Sequence, residues 1–317
     1  MEIAIGVGVF ILGVVLVVGS AEKLVESLVG TSMAFGVSTF LLGTLLVGFD
    51  AENLAVGIDA SARRVPEVAL GTIIGASMVA IPFALGLTML VKPIKLDISR
   101  KGVLLVTPLA VLLAWLLSLD GQLSRVDGGL LLVGFAAILG YLFWETRRGL
   151  MIKGEAEEAI EEVRREHHGK IFYIAVLAAA LVGLVVGAEM VLWGTRQILA
   201  LFVISATVFG MIVVAFAVSA EELARTLVPA LKGHAEISLG NVVGSAAYFF
   251  TFNAGLIALT APLLVEPATR LVHYPFAFAA AALVALVALG QNMGRVAGAL
   301  LLMMYIAFVA LVTLELI

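Results

Sequence analysis

The chain has 317 residues, of which 62% are hydrophobic and 13% are charged, and its mean hydropathy is +1.15. Soluble domains are about half apolar and about a quarter charged, so this composition excludes an ordinary soluble domain and indicates a polytopic membrane protein. The formal net charge of −4 says little about partners, because most of the chain would lie in lipid. The absence of cysteine excludes disulfides, thiol catalysis and cysteine metal sites.

Hydrophobic runs separated by polar breaks predict ten transmembrane helices. The first run, "MEIAIGVGVFILGVVLVVGSAEK", has membrane-spanning length and lacks the basic leader of a cleaved signal peptide, so we interpret it as a retained helix. The predicted helices lie near residues 2–28, 33–61, 68–91, 102–119, 128–146, 171–195, 199–228, 236–263, 275–290 and 295–315.

The long hydrophilic segment 147–170 divides the predicted helices into five plus five. We expect it to be a cytoplasmic connector that carries a surface helix over 154–168. The predicted domains are therefore a first five-helix repeat over 1–146 and a second five-helix repeat over 171–317.

Lysine and arginine residues indicate the orientation, because positively charged loops stay in the cytoplasm. With 147–170 inside and the helices alternating from there, most of these residues fall on the inner side. This predicts an integral protein of the plasma membrane with both termini outside. An odd number of helices in each half makes the two halves run in opposite directions.

Three short blocks recur in the same order in the two halves, which predicts an internal repeat. Inverted repeats place substrate sites near the bilayer midplane, often on interrupted helices, so we expect a central site where the halves meet. The paired blocks are "GFDAENLAVGI" (48–58) with "AVSAEELARTL" (217–227), "GTIIGASMVAIPFALGL" (71–87) with "GNVVGSAAYFFTFNAGL" (240–256), and "VVGSAEKLVES" (17–27) with "VVGAEMVLWGT" (185–195).

Carboxylates lie at equivalent places on the second helix of each half. A charge at the membrane centre costs from about 2.5 to more than about 10 kcal/mol, so such residues usually face a cavity, bind an ion or titrate. Asp50 and Asn53 are three residues apart and share a helical face. Ser219 and Glu222 do the same in the second half. Because hard cations such as Ca²⁺ take oxygen ligands, we expect these four residues and Ser245 to bind a transported cation, with Asp50 and Glu222 as its charged ligands.

Glu52 and Glu221 lie one residue before Asn53 and Glu222. A step of one residue rotates by about 100° around a helix, so we expect them to point away from the first face. They could form a proton site or a second cation site. A protonated, hydrogen-bonded structural role stays open as an alternative.

The other polar and glycine-rich features are expected to serve mainly structure. The glycine blocks 71–75 and 240–244 let helices pack closely, and they could also expose carbonyl groups and Ser245 to an ion. Arg225, near a predicted helix end, is expected to extend toward the membrane interface. No arrangement of a nucleophile with a base is visible, so the sequence does not indicate an enzyme.

The repeated blocks resemble the cation/Ca²⁺ antiporter superfamily, most closely its prokaryotic sodium/calcium exchanger branch. That family carries "FGTS-x-PE", a spacer and "GN-[VI]-[VI]-GSN-[IL]-[FN]" in each half, and "FAVSAEE" (216–222) with "GNVVGSAAYFF" (240–250) is similar to this pattern. The first-half blocks "VGFDAEN" (47–53) and "GTIIGASMVA" (71–80) resemble it more loosely. The resemblance covers nearly the whole chain and implies two inverted halves of five helices, with repeat blocks over about 33–91 and about 199–263.

Position by position, the resemblance implies that Glu222, Ser219 and Ser245 stand where the second repeat of the family binds ions. In the first repeat, Asn53 occupies the place of the family's glutamate and Asp50 that of its serine, so a carboxylate has moved by one helical turn. The other departures are Phe49 and Val218 for threonines, Glu52 and Glu221 for prolines, Ala76 for a serine, and Ala80 and Phe249 for polar residues.

The resemblance implies a secondary active antiporter that exchanges Ca²⁺, or another divalent cation, for Na⁺ or H⁺ by alternating access. Its partners would be the lipid bilayer and small inorganic cations, without a cofactor or a nucleic acid. The oligomeric state stays open, and a monomer is compatible with the sequence. Two alternatives stay open, because several polar side chains of the family are lost. The first is transport of a different cation, and the second is ion binding in the membrane without coupled exchange.

Overall fold

The computed structural model describes residues 2–95, 97–98, 101–148, 152–153, 169–199 and 215–315. The side chains of Glu52 and Ser219 lie outside this description, although both residues belong to described helices. The surface helix predicted over 154–168 also lies outside the described residues.

The described part of the first half is helical apart from short loops. Its helices are α1 (Glu2–Phe35), α2 (Thr39–Leu42, continued by the π-helical segment Gly43–Val47), α3 (Ala51–Ala62), α4 (Pro66–Met78, continued by the π-helical segment Val79–Ala84), α5 (Leu85–Val91), α6 (Val106–Leu117, preceded by the 3₁₀ segment Lys101–Leu105) and α7 (Arg125–Arg147).

The described part of the second half is built in the same way. Its helices are α8 (Lys170–Leu199), α9 (Ala215–Leu231), α10 (Ala235–Ala247, continued by the π-helical segment Tyr248–Asn253), α11 (Ala254–Thr260), α12 (Tyr274–Leu289, preceded by the π-helical segment Thr269–His273) and α13 (Arg295–Glu315). Two-residue strands connect loops: β1 (Ile94–Lys95), β2 (Asp97–Ile98), β3 (Gln122–Leu123), β4 (Ile152–Lys153), β5 (Leu263–Leu264) and β6 (Asn292–Met293).

Within the described residues, seven helical runs are long and apolar enough to cross a membrane. The runs Val68–Val91 and Ala235–Thr260 are 72% and 78% buried, so they form the centre of the bundle. Arg125–Arg147 and Arg295–Val312 are only 17% buried, and large apolar side chains on their outer faces, such as that of Val133, are exposed. An exposed apolar face on this scale suits contact with lipid. The protein is therefore an all-helical, polytopic membrane protein, whereas the number of ten spans stays a prediction.

The prediction of one continuous helix over 33–61 is wrong. Helix α1 runs on to Phe35, and Gly36 then adopts a positive φ of 65°, a conformation that glycine reaches without steric cost. The next helix is interrupted at 48–50, where Asp50 is extended, with φ −123° and ψ 97°. The physical reason is that the Asp50 side chain accepts a hydrogen bond from the backbone N–H of Asn53, which starts a new helix at that point.

The two central runs share one internal division. Pro66–Val91 and Ala235–Thr260 each consist of a 13-residue α-helix, a 6-residue π-helical segment and a 7-residue α-helix. Hydrogen bonds from i to i+5 widen a helix and are rare, and they occur mostly as single turns at functional sites. The same wide segment therefore occurs at the same position along both central runs.

Contacts between the halves occur in crossed pairs. Strand β1, after α5, pairs antiparallel with β6, before α13, and strand β3, before α7, pairs with β5, after α11. A Cβ atom added at Gly86 of α5 would lie 3.0 Å from the carbonyl oxygen of Gly298 of α13. A Cβ atom added at Gly255 of α11 would lie 2.9 Å from the carbonyl oxygen of Gly128 of α7. Each central run thus ends against the last helix of the other half.

Helices α1 and α8 pack against each other through glycines. A Cβ atom at Gly13 would lie 2.7 Å from the backbone N of Val191, and one at Gly194 would lie 2.7 Å from the carbonyl oxygen of Gly6. At Gly187 the nearest backbone atom, the N of Val17, would be 2.9 Å away. Small residues allow membrane helices to approach this closely.

Candidate cation-binding site

The break between α2 and α3 creates polar groups inside the membrane region. Asp50 Oδ1 accepts from the backbone N–H of Asn53 at 2.9 Å, and Asp50 Oδ2 accepts from Asn53 Nδ2 at 2.5 Å. Both residues therefore lie together, as their spacing predicted. Carbonyl groups near the end of α2 accept from side chains of the second half: Leu45 O from Tyr248 Oη at 3.0 Å, and Val47 O from Arg225 Nη1 at 3.3 Å.

Glycines bring this break into backbone contact with α10. A Cβ atom at Gly244 would lie 2.3 Å from the carbonyl oxygen of Thr44, and one at Gly48 would lie 2.6 Å from the Cα of Gly244. At Gly240 the carbonyl oxygen of Phe40 would be 2.7 Å away. The close packing expected of the second glycine block is therefore present, between α10 and the π-helical end of α2. At Gly71 and Gly75 no described atom would lie within 4 Å of an added Cβ.

Ser245 lies beside the break. Its backbone N would be 2.7 Å from a Cβ atom added at Gly48, and the residue is completely buried. Its Oγ has no hydrogen-bond partner among the described residues. A buried hydroxyl without a partner is costly, so this oxygen suits a ligand that supplies the missing interaction.

Glu222 is 4% exposed and is surrounded by polar groups of the second half. Asn241 Nδ2 lies 3.3 Å from Glu222 Oε2 and 3.2 Å from Thr226 Oγ1. The Oδ1 atom of Asn241 has no partner within the described part of the chain, so it is a further available oxygen. Sequence reasoning missed Asn241, because its block was interpreted as a glycine packing element, although the residue is part of the "GN" pattern.

Arg225 is 5% exposed, so the expectation that it extends to the membrane interface is wrong. Its Nη2 forms an ion pair with Glu221 Oε1, and its Nη1 lies 3.7 Å from Glu222 Oε1. The guanidinium can be buried because these two carboxylates compensate its charge. Without them, the charge would have to be solvated at the membrane interface. The two glutamates, expected to serve separate faces, thus meet the same guanidinium group.

The charged groups of the two halves are close enough to interact. The carbonyl oxygen of Val47, three residues before Asp50, accepts from Arg225, and Arg225 contacts Glu221 and lies 3.7 Å from Glu222. Asp50, Asn53, Glu221, Glu222 and Ser245 therefore all lie around the junction of α2, α3, α9 and α10. The side chains of Glu52 and Ser219 lie outside the described residues, so their predicted roles stay predictions.

Aromatic rings close one side of this junction. Phe49 packs on Tyr248 with ring centroids 5.1 Å apart and on Phe252 at 6.3 Å. Phe135 of α7 packs on the same two rings, at 5.0 and 4.9 Å. This ring cluster therefore packs directly beside the break at Phe49.

Comparison with known proteins agrees with this architecture. The sequence profile of the family described as "Sodium/calcium exchanger protein" matches residues 5–144 and 172–314. The chain is 32% identical over 186 residues to the uncharacterized membrane protein MJ0091 of Methanocaldococcus jannaschii, a match that covers 59% of this chain and 58% of that protein. It is 29% identical over 265 residues to the inner membrane protein YrbG of Escherichia coli, covering 81% of this chain and 80% of that protein.

Solved structures give the same result at the level of the fold. The sodium-calcium exchanger NCX_Mj, soaked with zero Na⁺ and Ca²⁺, superposes with a TM-score of 0.82 and 28% identity, covering 98% of this chain and 99% of that chain. The same exchanger soaked with 2.5 mM Na⁺ and 0.1 mM Ca²⁺ gives a TM-score of 0.80. The family match extends over both halves of the chain and over all the site residues named above. This integral membrane protein therefore belongs to the sodium/calcium exchanger family and is a cation/Ca²⁺ antiporter, not an enzyme.

Proposed function

We propose that this antiporter exchanges Ca²⁺, or another divalent cation, for Na⁺ or H⁺ by alternating access at a site near the bilayer midplane. The observation that carries the proposal is the junction at Gly48 and Gly244, where the break of one half touches a central helix of the other. Asp50 lies at this break, and the Val47 carbonyl of the same break accepts from Arg225, which lies 3.7 Å from Glu222 of the other half. Such a junction gives a dehydrated cation charged ligands from both halves.

The ligands that we assign are Asp50, Asn53, Glu222 and Ser245, together with Ser219 on the basis of the sequence. Asp50 and Glu222 supply the negative charge, and the amide and hydroxyl groups supply neutral oxygens, a mixture that suits Ca²⁺. The unpartnered Oγ of Ser245 supports this assignment, because a bound cation would satisfy it. Glu52 and Glu221 are proposed to form a proton site or a second cation site.

We further propose ten transmembrane helices in two inverted repeats, over 1–146 and 171–317, joined by the connector 147–170. The crossed contacts support this arrangement, because a twofold relation turns each contact between the halves into its counterpart. Arginines follow the same relation: Arg125, at the start of α7, donates to the carbonyl oxygen of Thr260, and Arg295, at the start of α13, donates to that of Leu90.

The proposed orientation, with the connector in the cytoplasm of a plasma-membrane protein and both termini outside, is supported by which loops meet. Strand β2 pairs with β4 of the connector, and β1 pairs with β6. These loops carry several of the lysines that were predicted to lie inside. The other pairing, β3 with β5, joins two loops that were predicted to lie outside.

Flux measurements in proteoliposomes test the proposed function. Purified protein should take up ⁴⁵Ca²⁺ when an outward Na⁺ gradient or a pH gradient is imposed, and Glu222→Gln is expected to reduce uptake to the level of empty vesicles. Asp59→Asn is the matched control, since it removes a carboxylate of α3 whose ion pair with Arg63 is largely exposed. Normal uptake by Glu222→Gln would refute the site, and absence of uptake by the unmodified protein would refute the exchange of Ca²⁺.

Transport of a different cation remains the second candidate, and a specific observation favours it. Phe49 and Phe249 stand where the family has polar groups, and both pack against aromatic or apolar neighbours. Isothermal titration in detergent with Ca²⁺, Mg²⁺, Mn²⁺ and Na⁺ separates the candidates. Heat from Na⁺ but from none of the three divalent cations would favour the second candidate.

A further inference from the structure

The guanidinium of Arg225 occupies the kind of place that a bound cation would occupy. It contacts a Glu221 oxygen, it donates to the carbonyl oxygen of Val47 at 3.3 Å, and it lies 3.7 Å from a Glu222 oxygen. These oxygens come from both halves of the chain, two from α9 and one from the end of α2. A positive charge fixed to the protein is therefore already held at the junction of the halves.

The corresponding repeat position of the first half carries no charge. On α9, Arg225 follows Glu221 by four residues and Glu222 by three, so the three side chains lie on one side of the helix. The residue of α3 at the corresponding repeat position is Val56, which is half exposed and apolar. If an arginine were needed at this position only to stabilise the fold, we would expect one at the corresponding position of both halves.

The charge count of the site follows from these groups. Among the described side chains, Arg225 contacts Glu221 and lies 3.7 Å from Glu222, and Asp50 lies at the adjoining helix break, three residues after the Val47 carbonyl that also accepts from Arg225. The guanidinium stays protonated under all conditions that proteins meet. The ion pair with Glu221 neutralises one carboxylate, so among the described side chains Asp50 and Glu222 keep two negative charges. Glu52, whose side chain lies outside the description, enters this count as a protonated, neutral group. Two charges match one divalent cation or two monovalent cations.

We propose that Arg225 is a resident monovalent cation of the transport site, which sets how many cations the protein exchanges. The guanidinium takes the place of one transported monovalent ion, and one divalent cation therefore exchanges for two monovalent cations rather than three. The exchange is electrically neutral as a result. This inference rests on the proposed antiport function and adds the ion ratio to it.

The membrane potential reports the ion ratio directly. Ca²⁺ accumulation in proteoliposomes is measured while a K⁺ gradient with valinomycin sets the potential, and Na⁺ and pH gradients are each used as the driving force. For the unmodified protein we expect the same accumulation with either sign of the potential. If one net charge moved in each cycle, a tenfold K⁺ gradient would change the accumulation ratio about tenfold.

Two single variants shift the count in opposite directions. Arg225→Gln leaves three negative charges, so we expect a third monovalent cation in each cycle and an accumulation that changes about tenfold for a tenfold K⁺ gradient. Glu221→Gln leaves one negative charge, and we expect a dependence on potential of the opposite sign. The double variant Arg225→Gln/Glu221→Gln restores two charges and is expected to lose the dependence again. Arg225→Lys keeps the charge and is expected to behave like the unmodified protein.

The outcomes separate this inference from the proposed function. If the unmodified protein shows no coupled cation flux, the proposed function fails. If it transports but Arg225→Gln and Glu221→Gln are both independent of the potential, Arg225 is a structural residue and the inference fails. Dependence on the potential in the unmodified protein would overturn it as well. Should Arg225→Gln not fold, as judged by size-exclusion chromatography, Glu221→Gln decides the question, because Glu222 and Val47 O still hold the guanidinium in that variant.

Discussion

Replacing Gly244 by alanine is expected to separate the two halves of the protein at the site. The new Cβ atom would lie 2.3 Å from the carbonyl oxygen of Thr44, and two further backbone atoms of Thr44 would lie at 3.0 Å. An ordinary van der Waals separation is about 3.5 Å, so the backbones have to move apart by about 1 Å. A backbone carbonyl cannot swing aside as a side chain can, and overpacking of this kind costs about 1–3 kcal/mol.

The same displacement is expected to stop transport. Ca²⁺ ligands lie at about 2.3–2.6 Å from the ion, so a shift of about 1 Å removes Ser245 or Asp50 from coordination distance. We therefore expect Gly244→Ala to lower the thermal unfolding midpoint in detergent and to abolish ⁴⁵Ca²⁺ uptake in proteoliposomes. Gly140→Ala is the matched control, because Gly140 lies in α7 with no described atom within 4 Å of the added Cβ.

The control is expected to be neutral or slightly stabilising, since alanine is favoured over glycine inside a helix by about 0.5–1 kcal/mol. The reasoning would be refuted if Gly244→Ala unfolded and transported like Gly140→Ala. A variant that is destabilised but fully active would refute only the link between this contact and the site.

Three further predictions concern other contacts. The chain has no cysteine, so the double variant Ile94→Cys/Met293→Cys introduces a single pair of thiols at paired positions of β1 and β6. Paired antiparallel positions are about 4.5–5.5 Å apart, so the pair is expected to form a disulfide on oxidation and to hold the two halves together on a non-reducing gel after cleavage in the connector. Failure to cross-link would contradict the β1–β6 pairing. Asn241→Leu removes the hydrogen bond to the site carboxylate, worth about 1.5–3 kcal/mol, so Ca²⁺ affinity measured by titration is expected to fall at least tenfold, and unchanged affinity would exclude the residue from the site. Glu26→Gln breaks a partly exposed ion pair with Lys232, so the free energy of unfolding is expected to fall by no more than about 1 kcal/mol. A much larger loss would contradict the assignment of this contact between α1 and the end of α9 as a weak surface ion pair.

The membrane class and the central position of the carboxylates follow from the sequence for a simple reason. Lipid-spanning runs are apolar on all sides, so a charged block such as the one around Glu222 is conspicuous in them. The spacing of Asp50 and Asn53 likewise predicted that the two side chains lie together, although the reason differs: Asp50 caps the helix that contains Asn53 instead of sharing a helical face with it. The repeat then related the two blocks to each other, without any need for an accurate helix boundary.

The helix break could not be located from the sequence in the same way. Hydrophobicity continues through "LLVGFDAENLAV", and periodicity is weak where every face is apolar, so nothing marks the end of α2. The sequence carries one local signal: Asp50 is a good N-cap residue, and a cap within an apolar run indicates a new helix start. The π-helical segments are a stronger case, because a single extra residue in a turn leaves no compositional trace.

The prediction for Arg225 was wrong because the groups that compensate its charge are brought together only by the folded structure. Near a predicted helix end an arginine usually extends to the interface, but α9 continues to Leu231 and keeps the residue at the depth of Glu222. The signal that could have found it is the i, i+4 spacing from Glu221, the favourable order of acid before base on a helix. In a membrane segment, an acid four residues before an arginine indicates a buried ion pair more directly than the distance to a predicted helix end indicates exposure.

The glycine contacts between α1 and α8 have a mechanical consequence. At 1.5 Å per residue these helices are about 51 and about 45 Å long, well beyond the apolar thickness of about 30 Å, so they lean steeply or protrude from the bilayer. Since their backbones interlock at Gly13 and Gly194, neither helix can change its inclination alone. A thicker bilayer would reduce the tilt of both helices together. The lipid composition therefore affects the tilt of this helix pair as a single body.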